Sequence, residues 1–200
     1  MTAWLLAVTL LAASGDGWSN LKHVVRNRPY AVILRDGQCQ YGTLSSVGEQ
    51  GMVLATYSGL GVLIKRSQIA RVTDDPTAPA HGAVYSARSS WLDVKMVAPK
   101  GTEYLHIVGK GGDERKWKQP AVSDDSIASG ATSIPKAEVR YVFYVRAKPL
   151  TVDEEFLHQE DLNLKWLAGI PWLGDLVSSK ISVLLYNSDL PEDNSPIACR

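Results

Sequence analysis

Cysteine and histidine are scarce in this 200-residue chain, with two Cys (Cys39 and Cys199) and four His (His23, His81, His106 and His158). The histidines lie in unrelated contexts and none forms HExxH or another close ligand pair, so no zinc signature is present and no metal ligand is assigned. Phosphate-binding and nucleophile motifs are missing too. There is no Walker loop, no GxGxxG opening a helix and no GxSxG elbow; Gly109-Lys110-Gly111-Gly112 carries a Lys but lacks the Ser or Thr that should follow. Net charge is absent as well. Twenty-one Lys plus Arg against 21 Asp plus Glu removes the overall basic signature of a dedicated nucleic-acid binder. No apolar run reaches the roughly 20 residues of a membrane-spanning helix. The best candidate, residues 162–186, is interrupted by Lys165, Pro171, Asp175 and Lys180. What remains is a folded chain: 45% hydrophobic and 21% charged residues can bury a core without staples.

The first informative segment is at the N-terminus. Residues 4–13 read WLLAVTLLAA, uncharged and about ten residues long, followed by the small and polar Ser14-Gly15-Asp16-Gly17. This is a secretory signal pattern over residues 1–17 with cleavage near Ser14, although no Lys or Arg precedes the apolar run. A periplasmic or secreted location follows as the expectation. In such an oxidising compartment Cys39 and Cys199 either form a bridge from the first β module to the C-terminus or remain two separate thiols.

Turn chemistry organises the next segment. Residues 30–35 (YAVILR) run into Asp36-Gly37, a two-residue type I′ hairpin signal, and residues 38–47 return with Gly42 placed for a bend or bulge. Further strands are expected over 52–57, 62–65 and 69–72, which gives five short strands in a small barrel over residues 18–75. The segments VILRDGQCQYGTLSSV and IKRSQIARV resemble the two motifs of the Sm-like fold and, more widely, of SH3-like small barrels, over residues 32–72. The resemblance implies a five-stranded barrel that self-associates into rings and, in some members, binds RNA. At the RNA-contacting positions the chain departs from that pattern, because 47–51 lacks the Asp and Met-Asn-like pair and 64–66 lacks the Arg-Gly step. An RNA-binding reading would use Arg26, Arg28, Lys65, Arg66 and Arg71 as anion contacts and Tyr41 or Tyr57 for stacking.

Residues 134–142 parallel 64–72 at an offset of 70, so a degenerate second copy is expected within residues 92–142. In that alignment 92–97 and 103–108 form a strand pair, and extra residues fall in the polar stretch 109–133. The second module is expected to be β-rich over 82–190. It should carry a helix from a capping box at Thr151–Glu154 to about Ala168, a strand at 181–186, and a flexible tail from about 190 to 200. Trp166 and Trp172 lie in an amphipathic stretch suited either to a core or to a membrane surface.

Charge divides the chain. Residues 18–73 hold seven basic and two acidic side chains, whereas 151–200 hold three basic and nine acidic. The pairs Asp74-Asp75 and Asp124-Asp125 sit in turn contexts rather than as acid/base dyads. The sequence therefore predicts a mainly β, exported, non-enzymatic protein of the bacterial envelope, with no cofactor and no small-molecule substrate. Its expected partner is another protein or a second copy of itself; nucleic acid is disfavoured.

Overall fold

The computed structural model describes residues 17–24, 28–147 and 180–195. The export segment up to residue 16, Arg26, the helix expected over 151–168, His158, Trp166, Trp172 and Cys199 lie outside the described residues. Among the described residues the fold is mainly β, and no helix is long and apolar enough to cross a membrane.

All five expected strands form: β1 (Pro29–Leu34), β2 (Cys39–Val47), β3 (Gly51–Ala55), β4 (Gly61–Lys65) and β5 (Ile69–Thr73), with a 3-10 turn η1 (Arg66–Gln68) before the last. They follow a short helix α1 (Asn20–His23). The sheet is open, in contrast to the closed barrel expected. A sixth strand, β6 (Ala83–Ser86), pairs with β5, and the antiparallel order is β4-β3-β2-β1-β5-β6. The reason is geometric: β5 has β1 on one side and β6 on the other, so no edge is left for β4 to close upon. The first sheet thus extends beyond residue 75.

The β1–β2 connection also differs from the two-residue turn expected. Leu34 N–H donates to Gln38 O (2.8 Å) and Gly37 N–H to Leu34 O (3.0 Å), with Gly37 at φ 85°, which makes a three-residue loop ending in a glycine bulge. Gly42 is required for a different reason. A Cβ there would stand 2.4 Å from Ala55 O, so β3 can approach β2 only because no side chain intervenes.

The second half contains α2 (Trp91–Met96), β7 (Tyr104–Gly109), β8 (Glu114–Trp117), β9 (Ala121–Val122), β10 (Ser126–Ser129), β11 (Thr132–Pro135), a 3-10 turn η2 (Lys136–Glu138), β12 (Val139–Ala147) and β13 (Lys180–Asn187). They build a four-stranded sheet β13-β12-β7-β8 and a three-stranded sheet β11-β10-β9. The strand expected at 92–97 is a helix. Ser90 Oγ accepts from Asp93 N–H at 3.1 Å, and Trp91, Val94 and Val97 put one buried face on the core at helical spacing. The polar stretch 109–133 is not an inserted loop either, since β8, β9 and β10 lie within it.

With those corrections the two halves carry one pattern of pairing. Leu34 pairs with Ile69 after a bulge, as Gly109 pairs with Val139 after a bulge. Val72 pairs with Tyr85, as Val142 pairs with Tyr186, and each is followed by a register shift. Arg35 N–H donates to Gln68 O (2.9 Å) and Lys110 N–H to Glu138 O (2.8 Å). The offset is 75 residues up to β10 and 70 from β11 onward, because β3 and β4 are joined by a longer loop than β10 and β11. Pro120 stands where β2 bulges at Ser45; lacking an N–H, it divides into β8 and β9 what β2 makes in one piece. The extra length of the second half follows β12.

One hydrophobic cluster runs through both halves, including Val32, Leu54, Val72, Val84, Val94, Leu105, Val142 and Val183. Each fully buried Val or Leu of this kind contributes roughly 1.5–3 kcal/mol. Polar ties cross the same seam. Both terminal guanidinium nitrogens of Arg146 reach Asp74 at 3.0 Å, and Nη1 also lies 3.3 Å from Ala83 O.

Candidate interaction groove

Two buried tryptophans anchor equivalent corners of the halves. Trp18 Nε1 donates to Gly48 O (2.8 Å) and its ring meets Tyr85 edge-on at 5.0 Å. Trp91 Nε1 donates to Ser123 O (2.7 Å) and its ring meets Tyr186 edge-on at 5.0 Å. A cation from the following 3-10 turn lies over each indole: Arg66 over Trp18 and Lys136 over Trp91, both at 5.1 Å. Burial pushes the Tyr85 hydroxyl up despite a hydrogen bond from Arg66, and burial likewise raises Tyr186 against the field of Lys136. Both phenols therefore stay protonated.

Beside each corner opens a groove. The first, about 1060 Å³, is lined by Arg35, Glu49, Lys65, Arg66 and Tyr85, with Val53 and Leu63 among its apolar walls. The second, about 610 Å³, is lined by the equivalent Lys110, Asp124, Lys136 and Tyr186, with Asp125 and Pro135 where the first has Gln50 and Lys65. The first is cationic and partly apolar. In the second, two lysines face two aspartates.

A buried ionic cluster lies behind the first groove. Arg71 donates to Asp93, Arg88 Nε donates to the same carboxylate at 3.2 Å, and Arg88 Nη1 lies 3.5 Å from Asp193. Burial pulls the Arg71 guanidinium below its ordinary value, and Asp93 opposes that shift. Arg71 is thus an interior residue, turned away from any phosphate. Of the other sequence-derived anion contacts, Lys65 and Arg66 line the groove, and Arg28 is half-buried just before β1 and does not line it. Tyr41 and Tyr57 are exposed and stand outside the groove lining. Cys39 is disulfide-bonded and is the first residue of β2. Sequence reasoning missed Trp18, Arg35, Tyr85 and Arg88. The available signal was the recurrence of a Trp at or just before the start of a short helix and of a Tyr in the last strand of each half.

Other polar groups are occupied by the fold. Tyr144 OH donates to Glu103 (2.7 Å) and meets His81 Nδ1 at 3.0 Å; burial raises this phenol strongly, which keeps it protonated. Asp75 accepts from Thr77 N–H, Thr77 Oγ1 and Ala78 N–H, which is the turn geometry expected of it. Among the described residues no group of three or more His, Cys, Asp or Glu is placed to hold a metal ion. Compared with the models of known protein families, with curated proteins and with solved structures, the chain matches none.

Proposed function

We propose that this chain is an exported, non-enzymatic protein-interaction or structural module of the bacterial envelope. The observation that carries this reading is the edge strand β4. It pairs with β3 on one side only, bears Leu63 at 68% exposure, and follows a loop that exposes Tyr57 at 96% and Leu60 at 69%. An open sheet edge is a template for another chain, and grouped exposed apolar side chains mark contact surfaces. The loop is the segment that the second half lacks, so the apolar tip is specific to the first half.

The order β4-β3-β2-β1-β5 with a 3-10 turn before β5 supports reading the first half as a small-barrel module of the Sm-like or SH3-like kind, opened by its sixth strand, and the second half as its degenerate copy. The uncharged run at 4–13 supports export. The test has two parts. N-terminal sequencing after fractionation should find a chain beginning near residue 15 in the periplasm or medium; a cytosolic chain retaining Met1 overturns export. A photo-crosslinking residue at Tyr57 or Leu63 should yield an adduct with a second polypeptide in intact cells, and absence of any adduct at both positions overturns the interaction reading.

A further inference from the structure

The groove of the first half is already met by the chain itself. Leu190 lines it, and Asp193 lies 3.5 Å from Arg88, another lining residue. The segment after β13 is held there. Lys136 Nζ contacts both carboxylate oxygens of Glu192 at 2.9 and 2.7 Å, Asp193 N–H donates to Ser89 O (2.8 Å), and Asn194 Oδ1 accepts from Leu92 N–H (2.9 Å). Residues 190–195, expected as a flexible tail, are thus a seated segment. What the first half leaves open is the edge of its sheet.

Hydrogen bonds at both ends of the β3–β4 hairpin fix which way β4 turns its main chain. Thr56 N–H donates to Leu60 O (3.0 Å) and Arg66 N–H to Gln50 O (2.8 Å). Bonded positions alternate along an antiparallel pair, and Leu54 lies opposite Val62 and Met52 opposite Ile64, so Val62 and Ile64 bond to β3. Gly61, Leu63 and Lys65 turn their main-chain groups to the free edge. Lys65 N–H is taken by Gln68 Oε1 (3.2 Å), so Gly61 and Leu63 present both groups there and Lys65 presents its carbonyl.

The other sheet edges of the described residues are protected. In β11, the counterpart of β4, Pro135 stands at the position of Lys65 and offers no N–H, and Ser133 stands at that of Leu63. β8 exposes Glu114, Arg115 and Lys116, and β9 has two residues. On the free side of β13, Leu185 O accepts from Ser90 N–H (2.8 Å) and Asn187 exchanges bonds with Ser89 Oγ at 2.8 and 2.9 Å. β6 is buried throughout. Among the described residues β4 is therefore the edge that is unpaired, apolar and uncharged at its centre, and it matches itself.

We propose that two copies of this chain pair through β4, antiparallel about a two-fold axis at Leu63. Leu63 of each copy exchanges both main-chain bonds with the partner's Leu63, and each Gly61 N–H donates to the carbonyl of the partner's Lys65. The order Gly-Val-Leu-Ile-Lys suits this register. Val62 faces the partner's Ile64, the two Leu63 side chains meet on the outer face, and glycine lies opposite lysine, so no like charges are directly opposed. The two Lys65 stand roughly 13 Å apart along the strands at about 3.3 Å per residue, beyond the screening length of about 8 Å at physiological salt. The same register lays the loop of each copy, with Tyr57 at 96% and Leu60 at 69% exposure, alongside the partner's η1. Pairing of one edge with itself closes after two copies and leaves no apolar edge for a third. This inference rests on the interaction reading above and names a second copy as the partner.

Sedimentation velocity of the purified protein over a hundredfold range of concentration should show a monomer converting to a dimer and to nothing larger. Leu63→Lys, which sets like charges directly opposite, should weaken the dimer by about tenfold or more. Leu63→Pro should do the same, because the N–H it removes faces the free edge and not β3; urea midpoints show that the variants keep their fold. Leu63→Cys should form an intermolecular disulfide with oxidised glutathione, since bonded residues directly opposite lie about 5.5 Å apart between Cα atoms, whereas Gly61→Cys, roughly 13 Å from its counterpart, should not. A monomer at every concentration, a dimer that survives both folded Leu63 variants, or Gly61→Cys linking as fast as Leu63→Cys overturns the proposal. If Tyr57 or Leu63 crosslinks to a different polypeptide in cells while the purified protein stays monomeric, the interaction reading stands and this inference alone falls; neither adduct nor dimer sinks both.

Discussion

Arg71 on β5 and Asp93 on α2 form a buried ion pair that joins the two halves of the molecule. Arg88 shares the carboxylate, and a strand of one half is thereby fixed to a helix of the other. Removing one member leaves an uncompensated interior charge. Asp93→Ala should lower unfolding stability by about 3–5 kcal/mol in urea titrations, and Arg71→Met combined with Asp93→Leu should lower it by less. Equal losses in both proteins would refute the account.

The indole of Trp91 offers a second test. Its N–H to Ser123 O is one of the few side-chain bonds between α2 and the β9–β10 turn. Trp91→Phe leaves that carbonyl without this donor and trims the ring that meets Tyr186, so stability should fall by about 1–3 kcal/mol. Trp18→Phe should act alike in the first half, through Gly48.

Acid should loosen the seated segment after β13. Burial alone would raise Glu192, but hydrogen bonds from Lys136 and Asn194 outweigh it and hold the carboxyl below its ordinary 4.5. The Ser195 hydroxyl, against burial, holds Asp193 below its ordinary 3.8. Depressed folded values mean that the unfolded chain takes up protons first. The stabilisation is complete above the ordinary values and is lost as pH falls from there through the folded ones. Urea midpoints should drop between neutral pH and about pH 3, less so in Glu192→Gln; equal slopes in the two proteins would count against this linkage.

Reduction should matter more than its single bond suggests. Cys39 is disulfide-bonded, and the sequence holds one other cysteine, Cys199. A bridge between them closes most of the chain and should add about 4–5 kcal/mol on the chain-entropy account. Peptide mapping of the unreduced protein should recover the two cysteines in one linked fragment, and Cys39→Ser should melt at lower temperature. Two alkylatable thiols in the purified protein would exclude the bridge.

Much of the first sheet was legible along the chain, and the reasons are local. Gly37 marks its turn because the loop needs positive φ, and the run of β-formers before it, Tyr30 to Ile33, is buried throughout in β1. The 70-residue parallel between 64–72 and 134–142 was legible because η1 and η2 impose one polarity pattern on both. The groove was not. Trp18, Arg66 and Tyr85 come from the turn before α1, from η1 and from β6, and no sequence window holds all three.

The sequence alone determined the strand-forming segments, the turns between them and the opposed charge of the two ends, because these depend on neighbours along the chain. The tertiary structure decided that the first sheet stays open, that Arg71 is an interior charge and that Leu92 lies on a helix. Each of these turns on a partner distant in sequence: β6 on the edge of β5, Asp93 against Arg71, and a core face that rewards Trp91, Val94 and Val97 only when coiled together.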